Sequence, residues 1–267
     1  MSPIDQKVVQ AFLSSMFYKY QNESAAKIID LAEVKGIQYV QSLQQPWPRN
    51  FKYQLEFFAE ENPPGFVLEI IQQYIKDNPE EYVLNVLSKN INVLIPGYKD
   101  IGFLHAWNNT IMLHKLSNRK KNIETSESVD VYAIKNELEL ANVNSLGPDY
   151  PVSLTGLLDP YIINLYATYN GEVGAKAQAV IIDPQFIYIS DLFTHPDFRR
   201  KSLSAALLFK MHQIGLENGC KYSILLPSKM TRNFELFQKF EYLESVSFAL
   251  LVPEVSPLPP GNQSDKG

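Results

Sequence analysis

The order of secondary-structure signals in the second half of this sequence restricts it to an α/β fold. Two apolar runs, 161–169 and 175–182, flank Asn170-Gly171, the dipeptide most typical of a two-residue hairpin turn. A third β-rich run covers 186–194, a helical stretch follows, and 221–226 is a short apolar strand. Antiparallel hairpins followed by strand, helix and strand predict an α/β (α+β) domain, with a mixed central sheet flanked by helices.

The helical stretch is defined by its apolar periodicity. Apolar side chains recur at spacings of three and four, which places them on one helix face: Leu203, Leu207, Met211 and Ile214. Gly219 is placed to end the helix after Asn218. Weaker patterns predict four more elements: a strand at 129–135, a helix at 137–143, a helix at 232–240 and a strand at 245–252.

A polar segment divides the sequence into two halves of similar length. Residues 117–128 are polar and charged throughout and lack apolar periodicity, which is typical of a linker. Residues 254–267 are polar and proline-rich, and are predicted to form a flexible tail. The sequence therefore predicts an N-terminal domain over 1–120 and a C-terminal domain over 128–253.

Composition and charge narrow the classes of partner. A net charge of −5 without a basic stripe argues against binding to nucleic acid. No apolar run is long enough for a bilayer, and the first residues do not resemble a signal segment, so we expect a cytoplasmic protein with no membrane partner. One cysteine and four histidines without metal-ligand spacing predict no metal site. The oligomeric state is undetermined.

A basic turn joins the third strand to the long helix. Within Phe193–Leu208 (FTHPDFRRKSLSAALL), three consecutive cations, Arg199 to Lys201, come just before the helix begins. The first turn of a helix presents free backbone N–H groups and the positive end of the helix dipole, which together favour an anion. The pattern indicates a phosphate site, although a solvated basic turn is the alternative.

This segment resembles the GNAT acetyltransferase superfamily. In that family a strand is followed by a Pro-x-(Tyr/Phe)-Arg segment, by an Arg/Gln-x-x-Gly-x-Gly/Ala turn and by a long helix. The corresponding residues here are Thr194, Pro196, Phe198 and the turn Arg199–Ser204, continued downstream by Asn218–Lys221 and by FELFQKFEY at 234–242. The resemblance covers nearly half of the chain, and the order of elements agrees throughout it.

The resemblance implies an N-acyltransferase that uses acetyl-CoA as co-substrate and a primary amine of a small molecule or peptide as acceptor. The amine would attack the thioester directly, while backbone N–H groups near Leu192–Thr194 polarise the carbonyl. The predicted cofactor-binding residues are Leu192, Phe193, Thr194, Arg199, Arg200, Lys201, Ser202, Leu203, Ser204, Asn233 and Phe237.

Three residues of the third strand are candidates for the base: Tyr188, Ser190 and Asp191. In a regular strand Tyr188 and Ser190 share a face with Leu192 and Thr194. Asp191 is the better base by chemistry but faces the opposite way, unless a bulge re-aims it. For each candidate, a purely structural role is the alternative. We expect Cys220 to be a small buried residue rather than a nucleophile.

Three departures from the family pattern bear on function. Ser202 stands where the family has glycine, and a serine in the left-handed region would cost about 1–2 kcal/mol. Phe237 replaces a tyrosine that often protonates the leaving thiolate, and it cannot donate a proton. Glu241-Tyr242 replaces Gly-Phe, so we expect a different turn there. A catalytically silent GNAT-fold protein that acts in binding or interaction is therefore the alternative to an enzyme.

The first half of the sequence has a pattern like that of the second. Val83–Leu116 can be aligned with Ser223–Val252, which places Ser88-Lys89 on Ser228-Lys229 and Tyr98–Phe103 on Phe237–Tyr242. An amphipathic helix at 65–76 then corresponds to the long helix, but no basic turn precedes it. We interpret this half as a degenerate GNAT-like copy without the cofactor loop, with chance similarity as the alternative.

Overall fold

The computed structural model describes residues 1–23, 26–30, 36–42, 55–77, 81–117, 128–147, 151–227 and 234–254. Residues 118–127 of the predicted linker 117–128, most of the predicted tail, Ser228-Lys229 and Asn233 lie outside these residues. Contacts divide the chain into two compact units. The first comprises Met1–Ala25 and Asn109–Val246, and the second comprises Ala26–Asn108 and Ser247–Gly267. Among the described helices, none is both long and apolar enough to cross a membrane.

The elements follow one another in a mixed order. The elements of the first half are α1 (Pro3–Glu23), β1 (Ala26–Asp30), β2 (Ile37–Ser42), β3 (Leu55–Ala59), α2 (Pro64–Asp77), β4 (Tyr82–Ser88), α3 (Ile91–Asp100) and β5 (Phe103–Lys115). Those of the second half are β6 (Val129–Ala133), α4 (Glu137–Asn144), α5 (Leu154–Leu158), β7 (Ile162–Tyr169), β8 (Glu172–Val180), β9 (Phe186–Thr194), α6 (Leu203–Glu217), β10 (Tyr222–Leu225), α7 (Phe234–Lys239) and β11 (Leu243–Pro253).

In the first unit the strands lie in the order β5-β10-β9-β8-β7-β6. Strands β9 and β10 are parallel and joined by α6, whereas β5 with β10, and β6, β7, β8 and β9 in turn, pair antiparallel. Leu203, Leu207 and Met211 of α6 are buried against the small side chains of β8, such as Ala175 and Ala177. The predicted mixed sheet flanked by helices is confirmed.

Local signals in the sequence identified the ends of several elements correctly. The hairpin between β7 and β8 turns at Asn170-Gly171, whose φ values of 51° and 83° are the left-handed pair that such a turn requires. Gly219 has φ of 83° just after α6, and its N–H donates to the Leu216 carbonyl. Strand β9 has the predicted bounds.

The second unit repeats part of this plan. Its strands lie in the order β1-β2-β3-β4-β11, in which β3 and β4 are parallel and joined by α2, just as β9 and β10 are joined by α6. Val67 and Ile71 of α2 are buried in a core with Leu55 and Phe57 of β3. The strand–helix–strand arrangement therefore occurs once in each unit, as the internal similarity of the sequence predicts.

The borders of the units differ from the predicted domains 1–120 and 128–253. Helix α1 was absent from the sequence prediction, and it packs on β9, β10 and α5 of the first unit. Strand β5 pairs with β10, and residues 247–251 of β11 pair with β4. Each unit is thus completed by a strand from the other half of the sequence, which hydrophobic periodicity alone does not reveal.

The turn before β11 corrects one expectation. Phe237 and Tyr242 form an edge-to-face ring pair at 5.9 Å, and Tyr98 and Phe103 form the equivalent pair at 6.0 Å. The residue before the second ring has positive φ in both places, 91° at Gly102 and 60° at Glu241. We expected a different turn at Glu241-Tyr242, and this was wrong, because Glu241 adopts the backbone conformation that glycine adopts in the other copy.

We expect the substitution Glu241→Gly to raise the free energy of unfolding by about 0.5–1 kcal/mol. Glycine removes the strain of a left-handed backbone, about 1–2 kcal/mol, but adds entropy to the unfolded chain. Asn170→Gly is the matched control, because asparagine tolerates this conformation and should gain less. Urea denaturation of both variants measures the difference. A loss of stability in Glu241→Gly would mean that its side chain contributes more than the strain costs.

Candidate functional site

A β-bulge in β9 is the centre of the candidate site. The pairing of β8 with β9 passes from Lys176↔Phe193 to Gln178↔Ser190, so that three steps along β9 match two along β8. The extra residue lies between Ser190 and Phe193, where Asp191 has φ of 50°. A bulge of this kind rotates the side chains that follow it to the other face.

The bulge changes the predicted facing of the strand. Tyr188 packs its ring edge-to-face on Phe12 of α1 at 5.5 Å, and Ser190 and Asp191 both contact Lys19 of the same helix. Asp191 therefore lies on the same side as Ser190, which is the re-aimed alternative left open by the sequence.

Leu192 and Thr194 lie on the other side. Leu192 packs on the core beneath α6, and the Thr194 hydroxyl is 2.6 Å from the hydroxyl of Ser204 in α6. Our expectation that these two share a face with Tyr188 and Ser190 was wrong, because it assumed a regular strand. Phe193 faces away from α6, and its ring lies against Gly147.

The described pairing of β9 with its parallel neighbour β10 stops just before the bulge. The described pairs between β9 and β10 end at Ile189↔Leu225. Residues 190–194 of β9 therefore have no described partner on the β10 side. This open edge coincides with Leu192–Thr194, the segment predicted to polarise a thioester carbonyl with its backbone N–H groups.

The basic turn has a strained backbone. After the 3-10 turn Pro196–Phe198, both Arg200 (φ 63°) and Ser202 (φ 62°) are left-handed, a conformation that glycine adopts more readily than other residues. Ser202 is the N-cap of α6, but its side chain makes no capping hydrogen bond. The first N–H groups of α6 are consequently not satisfied by this side chain and can face an anion.

The predicted cofactor-binding cations lie around this turn. Arg199, Arg200 and the Ser202 side chain are exposed, as contact with a soluble phosphate group requires. The Lys201 ammonium lies over the ring of Tyr169 at 4.5 Å and over that of Phe198 at 4.9 Å. Lys201 is therefore held by aromatic faces, and the two arginines are the freer positive charges.

Two predicted residues contribute to packing. Leu203 is buried beneath the turn, so only its backbone can meet a ligand. Phe237 is also buried, in the core with Tyr242. The Tyr242 hydroxyl lies 2.5 Å from Ser223 Oγ and 2.8 Å from His212 Nε2, and complete burial raises its pKa. Phe237 of α7 and Phe240, which follows the helix, have no hydroxyl to bring to the site.

The sheet face opposite α6 carries a row of polar side chains, of which Asn164 and Gln178 are buried and Ser190 is half-buried. Asn164, Gln178 and Ser190 are paired across β7, β8 and β9. Gln178 Nε2 donates to Asn164 Oδ1 at 2.9 Å, and Asn164 Nδ2 donates to the Gly156 carbonyl of α5 at 3.1 Å. The face towards α6 is apolar by contrast. Buried polar groups cost free energy unless they are satisfied, so their concentration on one face indicates a functional surface.

Lys19 of α1 continues this polar row and was missed at the sequence level. It is only 1% exposed, its ammonium donates to Ser190 Oγ at 3.2 Å, and it forms an ion pair with Asp191. The sequence contains one signal for it. Phe12, Ser15 and Lys19 are spaced as one helix face, and two polar residues on an otherwise buried face are uncommon.

Helix α1 is also anchored beside Lys19. The Tyr18 hydroxyl donates to Asp159 Oδ2 at 2.8 Å, and its ring packs edge-to-face on Tyr161. Desolvation, and to a smaller extent the hydrogen bond to Asp159, raises the pKa of Tyr18 to about 12. The phenol therefore stays protonated at ordinary pH and keeps this anchor.

Two other groups can be assigned from their surroundings. Cys220 is buried, and desolvation, with a smaller effect of Asp183, raises the pKa of its thiol to about 11. It is thus a poor nucleophile, as the sequence predicts. Among the described residues, no group of three His, Cys, Asp or Glu side chains is placed to hold a metal ion.

We expect the substitution Gly174→Ala to destabilise the protein by about 1–3 kcal/mol, because overpacking forces neighbours to move. A Cβ at Gly174 would lie 2.5 Å from Phe198 Cγ and 2.9 Å from Leu203 Cδ1, the two residues that support the basic turn. Gly65→Ala is the control, because a Cβ there meets nothing within 4 Å. Thermal unfolding compares the two. Equal melting temperatures of the two variants would show that Phe198 and Leu203 can move aside without a cost in free energy.

Comparison with known proteins gives a match to one family model. Residues 131–242 match the model of the acetyltransferase (GNAT) family. No curated protein sequence matches the chain.

Several solved structures share the fold. A GCN5-related N-acetyltransferase from Kribbella flavida aligns over 99% of this chain and 98% of its own, with a TM-score of 0.66 and 12% identity. A GCN5-related N-acetyltransferase from Sphaerobacter thermophilus aligns over 85% and 84%, with a TM-score of 0.57 and 10% identity. A tandem GNAT protein from the clavulanic acid biosynthesis pathway aligns over 85% and 80%, with a TM-score of 0.58 and 6% identity.

Proposed function

We propose that this chain, whose residues 131–242 form a domain of the acetyltransferase (GNAT) family, transfers an acetyl group from acetyl-CoA to a primary amine of a small molecule or peptide. The observation that carries the proposal is the coincidence of two features at the end of β9. The described pairing of β9 with β10 ends at Ile189, and the strained basic turn follows β9 after the short turn Pro196–Phe198. Acetyl-CoA has a thioester that could meet the strand and, at the other end of its pantetheine arm, a pyrophosphate that could meet the turn.

The turn is suited to the pyrophosphate of the co-substrate. Arg199 and Arg200 are exposed, and the first N–H groups of α6 are not capped by Ser202. Backbone N–H groups at a helix start bind anions through both hydrogen bonds and the helix dipole. Ser202 can add a hydroxyl donor that glycine lacks. In this proposal Ser204 acts indirectly, because its hydroxyl is hydrogen-bonded to Thr194 and ties the turn to β9.

The open edge of β9 is suited to the thioester. Backbone N–H groups at Leu192–Thr194 would donate to the thioester carbonyl oxygen and stabilise the negative charge that develops on it. The acceptor amine would approach from the polar face, where Ser190 and Asp191 lie, and give up a proton as its nitrogen attacks the carbonyl carbon. The carbon–nitrogen bond forms and the carbon–sulfur bond breaks.

The leaving thiolate needs no acid from α7. Phe237 cannot donate a proton, and the Tyr242 hydroxyl is already held by Ser223 and His212. A thiol has a pKa of about 8–9, so its thiolate can leave without being protonated. We propose that the thiolate departs unprotonated and takes a proton from water afterwards.

We expect acetyl-CoA to raise the melting temperature of the full chain in a saturable way, because a ligand that binds only the native state stabilises it. In the variant Arg199→Ala/Arg200→Ala, affinity should fall by about tenfold or more, since two charge-assisted contacts are lost. Lys221→Ala is the control, because it removes an exposed charge outside the turn and should leave the titration unchanged.

A melting temperature that does not respond to millimolar acetyl-CoA would contradict the proposal and favour a catalytically silent interaction protein. Equal affinity loss in the Lys221 control would mean that net charge, and not the basic turn, attracts the ligand.

A further inference from the structure

We propose that Lys19 is itself an acyl acceptor, so that the chain acylates its own N-terminal helix at the candidate active site. This inference rests on the proposed function, because the acyl group comes from the same acyl-CoA. The inference adds a modification site to the chain and identifies Lys19 as the first amine that is acylated there. The ammonium of Lys19 lies where an acceptor amine is needed, next to the two polar groups at the bulge of β9.

The contacts of Lys19 are those of a bound amine substrate. Its nitrogen donates to Ser190 Oγ at 3.2 Å and is paired with the Asp191 carboxylate, which is 19% exposed in its side chain. Both partners precede directly the open segment Leu192–Thr194. A carboxylate that can take a proton and backbone N–H donors for a carbonyl oxygen are therefore consecutive along β9, and the primary amine of Lys19 reaches the carboxylate from α1.

Helix α1 holds this amine in place. Phe12 packs on Tyr188 two turns before Lys19, and Tyr18 is hydrogen-bonded to Asp159. A buried side chain on an anchored helix loses little further freedom when it reacts. A reaction within one molecule gains from this proximity, so a restrained amine should react faster than a freely exposed one.

A further polar group on the same helix face supports acyl binding. Ser15 lies one turn before Lys19, it is fully buried, and its hydroxyl has no hydrogen-bond partner among the described residues. A buried hydroxyl without a partner is costly. An acyl-lysine brings a carbonyl oxygen into this region, and that oxygen could accept a hydrogen bond from Ser15.

The reaction balances without another reagent. The Lys19 ammonium passes one proton to Asp191, and the neutral amine attacks the thioester carbonyl carbon. The carbon–nitrogen bond forms, the carbon–sulfur bond breaks, and the sulfur leaves as the coenzyme A thiolate. The nitrogen gives its second proton to water as the amide forms, and the thiolate takes a proton from water after it leaves. The products are an uncharged amide at Lys19, a protonated Asp191 that then releases its proton to water, and free coenzyme A.

The test is incubation of the purified full chain with acetyl-CoA, followed by intact mass and peptide mapping. We expect one acetyl group on Lys19, added at least about tenfold faster than on Lys7, an exposed lysine of the same helix. Unassisted chemical acetylation has the opposite preference, because it favours the exposed amine. Unfolding the protein in urea before the incubation should abolish the preference for Lys19.

Lys19→Arg is the matched variant, because arginine keeps the positive charge beside Asp191 but does not lose its proton. It should remain unmodified at position 19 while binding acetyl-CoA as the natural chain does. Acetyl-CoA binding without modification of Lys19 would overturn this inference and leave the proposed function standing. Absence of acetyl-CoA binding would overturn both. Modification of Lys7 ahead of Lys19 would mean that the reaction is unassisted acetylation of exposed lysines, and this too would overturn the inference.

Discussion

One extra residue in β9, between Ser190 and Phe193, decides which side chains face α1 and which face α6. A regular strand would place Asp191 towards α6, where the core is apolar. The bulge instead places it beside Ser190, and the ion pair with Lys19 follows from that position. The described pairing with β10 ends at Ile189, next to the same irregularity. The position of the acidic group beside the hydroxyl of Ser190 is therefore a consequence of a single shift in register.

The cost of this arrangement is visible in the backbone. Among the described residues other than glycine, positive φ values occur at Asn170, Asp191, Arg200, Ser202 and Glu241. Asparagine in a hairpin is unexceptional, whereas the other four residues lie at the bulge, at the basic turn and before β11. Each such residue costs on the order of 1 kcal/mol, and strain of this kind concentrates where function constrains the chain. The strain supports the bulge and the turn as the functional part of the first unit.

The sequence predicted the fold well and the site only in part. Hydrophobic periodicity, the Asn-Gly turn and Gly219 report local preferences, and these are the elements that the structure confirms. The bulge could not be predicted, because nothing in the local run around Asp191 differs from a regular strand. Lys19 is separated from Asp191 by more than 170 residues along the chain. An ion pair over that distance depends on the tertiary packing of α1, which no local pattern specifies.

The exchange of strands between the two halves also determines when each strand can find its partner during synthesis. Strand β4 is paired with β3 on one side and with β11 on the other. A ribosome produces β11 after every other described strand, so β4 emerges long before its second partner exists. An unpaired strand edge exposes N–H and C=O groups that can recruit other chains. Strands β1–β4 of the second unit are therefore made directly after α1, but their sheet is completed last, and until then β4 keeps an edge of the kind that makes folding intermediates prone to aggregation.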